Sequence, residues 1–171
     1  MKNNDLISLL EKLTEANVEF VLVGGFAGVA YGCTYVTEDI DICCKFTPDN
    51  LLALQKTLSD LQPVHRMTPK KKKLHLTKEN CGDFKNLYLA TKIGQLDCLS
   101  FIEGIGDYEK ARKSSRVIQV EQLKIHVLNL DALIKAKKAL NRPRDKQAIK
   151  QLEAIKILKK KNNFSPRRKE E

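Results

Sequence analysis

The sequence predicts an α/β fold of the α+β kind, with short strands, amphipathic helices between them and a helical C-terminal segment. Three observations predict it. Apolar residues recur at helical spacing near both chain ends, as in Leu6, Leu9, Leu10 and Leu13. Short apolar runs such as Phe20 to Val23 read as strands covered on both faces. The middle of the chain carries strand patterns joined by turn residues, as at Lys92-Ile93-Gly94. A chain of 171 residues suits one domain and can bury a core without disulfides or a structural metal.

Residues 5–16 read as the first helix, with Asn4 or Asp5 able to cap it, and Ala16-Asn17 ends it. A strand over 19–23 leads into Gly24-Gly25 and a short helix over 26–31. A second strand spans 39–44. Thr47-Pro48-Asp49 opens the next helix, with proline in its first turn, and Leu51, Leu54, Leu58 and Leu61 form its stripe. Residues 63–83 show no clear period and read as a loop with one short strand over 73–76. Strands over 87–91 and 95–101 follow, then a helical turn over 107–112. A second hairpin-like pair covers 116–120 and 124–128. Asn129 or Asp131 caps a helix over 131–140, Asn141-Arg142-Pro143 breaks it, and a last helix runs over 144–158 with Ala148, Ile149, Leu152 and Ile155 on its apolar face. Residues 1–158 are expected to form the single domain and 159–171 a loose basic tail.

Lysine and arginine number 31 against 21 acids, a net charge of +10. That surplus suits polyanionic partners. Much of it sits in runs, Lys70 to Lys73, Lys159 to Lys161 and Arg167-Arg168-Lys169, which fit solvated loops as well as binding surfaces. No apolar stretch approaches a membrane span, and the N-terminus has no apolar signal core, so a cytoplasmic location without membrane contact is expected. The five cysteines are odd in number and lack Cys-x-x-Cys spacing, and the three histidines are scattered. Buried free thiols are therefore expected, not a zinc site or a disulfide framework.

The chemistry concentrates in Gly24-Gly25 and Asp39-Ile40-Asp41-Ile42. Strand alternation sends Asp39 and Asp41 to one face and the isoleucines to the other. Two adjacent carboxylates repel unless a cation is shared, and hard Mg²⁺ (or Mn²⁺) takes oxygen ligands of this kind. Asp97, between Leu96 and Cys98, is a third acid in similar surroundings. If its strand neighbours the first, three carboxylates converge and suit two metal ions, with Asp97 helping to deprotonate an acceptor hydroxyl. Glycines between a strand and a helix let a ligand approach the backbone, although such a pair also simply makes a tight turn. Neither the G-x-x-x-x-G-K-[ST] loop nor the G-x-G-x-x-G fingerprint is present.

Val23-Gly24-Gly25, a gap of 13 residues (26–38), Asp39-Ile40-Asp41-Ile42 and Leu96-Asp97-Cys98 together resemble the signature of the DNA polymerase β-like nucleotidyltransferase superfamily. Gly32 to Asp39 is similar to the G-x-x-R-x-T-x-D stretch of its small stand-alone bacterial members, among them the abortive-infection toxins. Tyr35 stands where those relatives usually carry arginine. Leu133 to Asp145 looks like their L-I-x-x-K-x-A-x-x-R-x-x-D segment. The resemblance implies a mixed sheet with helices mainly on one face and carboxylates at its open edge. It implies transfer of a nucleoside monophosphate from an NTP such as ATP to a hydroxyl. It gives Asp39, Asp41 and Asp97 the metal and catalytic roles, and Gly24, Gly25 and Lys137 contact with the nucleotide. Arg142 and Asp145 either join that contact or pair with each other across the helix break. The implied acceptors are RNA, such as a tRNA end, a protein hydroxyl or a small molecule, and an antitoxin is an implied partner. Two other readings stand beside this one: a degenerate transferase fold that binds RNA or a partner protein, and a structural protein working through its basic tail.

Overall fold

The computed structural model describes residues 3–163, with side chains from Asp5 onward. The first helix, α1 (Asn3–Glu15), starts two residues earlier than expected, which leaves Asp5 inside its first turn. Leu6, Leu9, Leu10 and Leu13 are all buried, as their spacing requires. Asn17 ends α1 with φ 55°, and Val18 N–H closes back on Leu13 O at 3.0 Å.

Strand β1 (Phe20–Val23) is buried at all four positions and leads directly into α2 (Gly24–Ala30), which thus includes both glycines. Next come β2 (Asp39–Cys44) and α3 (Pro48–Leu58). Asn50 is a buried polar residue with a structural duty. Its side chain accepts from Glu19 N and donates to Glu19 O and Lys45 O, tying the start of β1 to the end of β2.

The 63–83 segment departs from expectation. The strand there is β3 (Val64–His65), paired with β4 (Asn86–Thr91), and the expected 73–76 strand shrinks to a single bridge between Val64 and Lys73. The reason lies at Leu76. Its N–H donates to the Gln55 side chain at 2.5 Å and its carbonyl accepts from the same amide at 3.1 Å, so a side chain satisfies the backbone that a neighbouring strand would otherwise pair.

Strand β5 (Gly94–Leu99) ends earlier than expected. Phe101 belongs instead to β6 (Phe101–Ile102), which pairs with β7 (Gly106–Asp107) in a separate ladder. Gly104 and Gly106, at φ 80° and 127°, let the chain reverse there. Asp107 caps α4 (Tyr108–Lys113) by accepting from Lys110 N, and β8 (Ser115–Val120) and β9 (Leu123–Leu128) form the second hairpin. Asn129, not Asp131, caps α5 (Leu130–Leu140), accepting from Ala132 N at 2.8 Å. A 3-10 turn over Pro143–Asp145 leads into α6 (Lys146–Asn163). The helix therefore continues through 159–163, where a loose tail was expected. Lysine is a good helix former, and Lys159 Nζ lies 4.8 Å from the centre of the Tyr31 ring. The remainder of the expected tail, 164–171 with its Arg167-Arg168-Lys169 run, lies outside the described residues.

Seven strands form one mixed sheet in the order β3-β4-β5-β2-β1-β9-β8. β2 runs parallel to β5 and antiparallel to β1, and β1 runs parallel to β9. The expected mixed α/β architecture is therefore present. One detail changes: Asp39, Asp41 and Asp97 lie on the two central strands β2 and β5, not at an edge. Central strands need cover on both faces, and Ile40, Ile42, Leu96 and Cys98 supply the fully buried apolar side. All five cysteines are free and buried. Among the described residues no helix is long and apolar enough to cross a membrane.

Candidate active site

The carboxylates come together through strand register. Asp39 and Asp41 occupy alternate positions of β2 and share a face. β2 and β5 pair so that Asp41 stands directly opposite Asp97. One oxygen from each of Asp39, Asp41 and Asp97 lies within 4.8 Å of the others. Asp97 is buried and the other two are half-buried. The convergence expected from the sequence is thus the geometry found.

Low exposure makes this negative charge costly. Burial, followed by the charges of Asp39 and Asp97, pushes the Asp41 pKa up to about 7, against a smaller opposing pull from Lys137. Burial also raises Asp97, and Arg66 offsets part of that rise. Arg66 was not singled out in the sequence, since it lies in the stretch with no period and no motif. Its guanidinium grips Asp97 with both terminal nitrogens, Nη1 on Oδ1 and Nη2 on Oδ2, the second at 2.8 Å. It also lies over the Tyr88 ring, 5.4 Å from the centroid, and Tyr88 is the residue opposite Asp97 on β4. Only the register, once known, would have exposed this contact.

Gly24 is fixed by two requirements at once. Its φ is 69°, and a Cβ built there would sit 2.1 Å from Asp41 Oδ2. The space expected for a ligand beside this glycine is therefore filled first by the Asp41 carboxylate. A Cβ on Gly25 would come within 2.7 Å of the Thr37 methyl. Tyr35 packs on the same short helix, so that a Cβ on Gly28 would meet its hydroxyl at 1.9 Å. The Tyr35 hydroxyl is buried beside the Cys33 thiol, and burial first and Cys33 second raise its pKa.

The C-terminal trio forms a clamp. Asp145 accepts from Arg142 Nε at 2.6 Å and from Arg142 Nη2 at 3.2 Å, and Lys137 Nζ lies 3.4 Å from its Oδ1. Burial alone would raise the Asp145 pKa, but the Arg142 hydrogen bonds and the Lys137 charge bring it below the usual range. The pairing of Arg142 with Asp145 across the helix break is therefore real. It does not remove them from the site. Both line one cleft of about 830 Å³ together with Gly24, Gly25, Tyr35, the three acids, Arg66, Tyr88, Lys137 and the unforeseen Arg144 and Gln147. That volume is in the range of small-molecule and cofactor sites, about 300–1,000 Å³.

No protein-family description matches the chain, and no curated protein matches its sequence. Solved structures do. The lincosamide antibiotic adenylyltransferase LnuA, solved with lincomycin bound, superposes with a TM-score of 0.62 at 17% identity, covering 91% of this chain and 98% of LnuA. The antibiotic-resistance factor ANT(2″)-Ia, in complex with adenylyl-2″-tobramycin, gives 0.57 at 13% identity over 96% of this chain and 100% of its own. A nucleotidyltransferase-like protein of Thermotoga maritima gives 0.51 at 17% identity over 94% and 91%. The fold of this chain is the nucleotidyltransferase fold of these structures.

Proposed function

We propose that the chain is a divalent-metal-dependent nucleotidyltransferase that moves a nucleoside monophosphate from an NTP to a hydroxyl acceptor. The observation that carries this reading is the three-carboxylate cluster, drawn from two central strands to within 4.8 Å at the floor of a cleft that also holds Lys137. The donors fit Mg²⁺ or Mn²⁺: all are hard carboxylate oxygens, and the raised Asp41 pKa, from burial first and the Asp39 and Asp97 charges second, supports a cation at this cluster. Two ions held by such a cluster would neutralise the triphosphate and stabilise the attacking and leaving oxygens.

The chain's own residues divide the remaining work. Asp39 and Asp41 orient on the shared face of β2, with the Gly24 backbone giving Asp41 its room. Asp97, whose basicity burial raises and Arg66 partly offsets, takes on this reading the acceptor's proton at a carboxylate oxygen released from Arg66. Lys137 offers a buried ammonium to phosphate oxygens, held in place by Asp145. Arg142 and Arg144 add positive charge along the same wall.

The acceptor reading favours RNA. Lys70 to Lys73 are all exposed and make no ion pair among the described residues. They sit on the hairpin that delivers Arg66 to the cleft, where Lys72 O accepts from His65 N at 2.8 Å. Unpaired lysines beside a site supply affinity for a phosphate backbone. A protein acceptor and an antitoxin partner remain part of the proposal as implied by resemblance. LnuA was solved with lincomycin and ANT(2″)-Ia with adenylyl-2″-tobramycin, so a small hydroxyl compound is the competing class.

A second reading, a degenerate fold that binds without transferring, has one observation in its favour. Tyr35 puts a buried neutral hydroxyl, beside the Cys33 thiol, where the family it resembles carries a cation. The test separates the two. The protein is incubated with each α-labelled NTP, Mg²⁺ or Mn²⁺, and either RNA, cell protein or a panel of small hydroxyl compounds, beside an Asp39→Asn/Asp41→Asn control. Label that moves and is lost in the control supports transfer and names the acceptor class. Metal-dependent NTP binding with no transfer to any of them supports the binding module. Absence of both sinks the catalytic reading.

A further inference from the structure

We propose that Arg66 is a built-in counter-ion for the carboxylate cluster, holding Asp97 in the metal-free protein and competing with the divalent cation for it. The proposal rests on the metal reading of the cluster given above.

Three observations carry it. First, the contact uses both Asp97 oxygens and both terminal guanidinium nitrogens. A bidentate fork of this kind is among the strongest carboxylate contacts a protein makes, and it draws on the same oxygen lone pairs that a metal would use. Second, the pair is not a surface ornament. The Asp97 side chain is 9% exposed and that of Arg66 20%. A carboxylate taken that far out of water requires a partner. Third, Arg66 is anchored independently of Asp97. Its guanidinium lies over the Tyr88 ring, and its backbone N–H donates to Tyr88 O at 3.0 Å. A ring that holds the guanidinium leaves it a resting place when Asp97 turns to a metal ion.

Electrostatics then sets the sign of the coupling. Arg66 lowers the cost of gathering three acids when no metal is present. When a divalent ion arrives, the same fixed positive charge sits against Asp97 and opposes it. The two cations are alternatives at one carboxylate, and the ladder position of Tyr88 opposite Asp97 keeps them in reach of each other. A purely structural Arg66 would give the opposite coupling. Removing it would loosen Asp97 and weaken the metal site.

The test is a Mn²⁺ titration followed by electron paramagnetic resonance, without nucleotide, on the full-length protein and its Arg66→Gln and Arg66→Lys variants. Thermal unfolding is measured with and without Mn²⁺. The proposal expects R66Q to bind Mn²⁺ more tightly by about tenfold or more, because a competing like charge beside Asp97 is removed. It also expects R66Q to melt earlier than the parent without metal and to regain most of that loss with it. R66K, which keeps the charge and loses the fork, should fall between the two. Circular dichroism confirms that each variant is folded, and R66K carries the comparison if R66Q is not. Unchanged or weaker Mn²⁺ binding in the folded variants overturns the proposal. So does an absence of Mn²⁺ binding in parent and variants alike, since removing the competitor would then have opened nothing. Loss of label transfer in the assay above is a separate readout. It bears on the nucleotidyltransferase reading and leaves the metal titration standing on its own.

Discussion

Asp41 lies between two other carboxylates, and burial together with Asp39 and Asp97 brings its pKa up to about 7. The folded-state value is above the ordinary value of about 3.9. The folded protein therefore binds this proton more tightly than the unfolded chain does. The stabilisation that results is fully present below about pH 4 and is lost as pH rises through 7. Two outcomes follow. Metal affinity should climb between pH 6 and 8 as Asp41 gives up its proton, which calorimetry in buffers of different ionisation enthalpy would register as proton release. Asp41→Asn should melt higher than the parent at pH 8 in the absence of metal, and the gain should shrink at pH 5. On the proposed function the same variant should lose transfer by about a hundredfold or more, because the proposed metal site loses a ligand. A stability gain at pH 8 with activity intact would remove Asp41 from the site. Gly24 offers a complementary check. Its φ of 69° and the 2.1 Å approach of a built Cβ to Asp41 Oδ2 both resist a side chain. Gly24→Ala should cost about 1–3 kcal/mol in denaturant unfolding and should displace the Asp41 carboxylate, weakening Mn²⁺ binding in the folded fraction.

At the level of elements, the Asp145 clamp ties α5 to the 3-10 turn that leads into α6. Lys137 and Asp145 have side chains 9% and 7% exposed, so neither charge can turn to water if the other is removed. Asp145→Ala should therefore destabilise by about 3–5 kcal/mol, the range seen when one partner of a buried pair is deleted. Lys137→Met is the informative contrast. Its stability loss should be smaller, since Arg142 still partners Asp145, while NTP binding by fluorescence titration should weaken. Equal stability losses with unaltered NTP binding would make the trio purely structural. These elements also show what the sequence could and could not reveal. Leu6 to Leu13, Phe20 to Val23 and the β8–β9 pair were legible because burial on one face or both writes a period into the chain. The acids were legible because strand alternation puts Asp39 and Asp41 on one face whatever the neighbours are. The route through 63–83 was not. Its backbone is satisfied by the Gln55 amide at Leu76 and by a two-residue strand, and neither leaves a periodic trace. Arg66 stayed invisible for the same reason, since its role depends on β3 meeting β4 and β4 meeting β5 in register. The α6 extension was missed because 159–163 is polar, and polarity alone does not distinguish a solvated helix from a loose tail.

Across the whole molecule the question is where the charge of +10 acts. The cleft walls carry Arg66, Lys137, Arg142 and Arg144, while the acids that line it beyond the triad are Asp145, already clamped, and Glu38. A polycationic acceptor would find little free negative charge there outside the triad itself. Lys70 to Lys73 extend the positive field outward from the Arg66 hairpin. This distribution favours an acceptor with a phosphate backbone, and it makes a quantitative prediction that a small neutral acceptor does not. Each lysine engaged with single-stranded RNA should contribute about 0.7 to the slope of log affinity against log salt. Replacing all four by glutamine should then flatten that slope by about 3 in filter-binding measurements. Transfer to RNA should fall in parallel at moderate salt, and metal-dependent NTP binding should be unchanged, because none of the four lines the cleft. An unaltered salt slope would assign the lysine run to solvation and return the acceptor to the class of small hydroxyl compounds, for which the apolar wall of Leu99, Ile102, Leu128 and Leu133 already provides a surface.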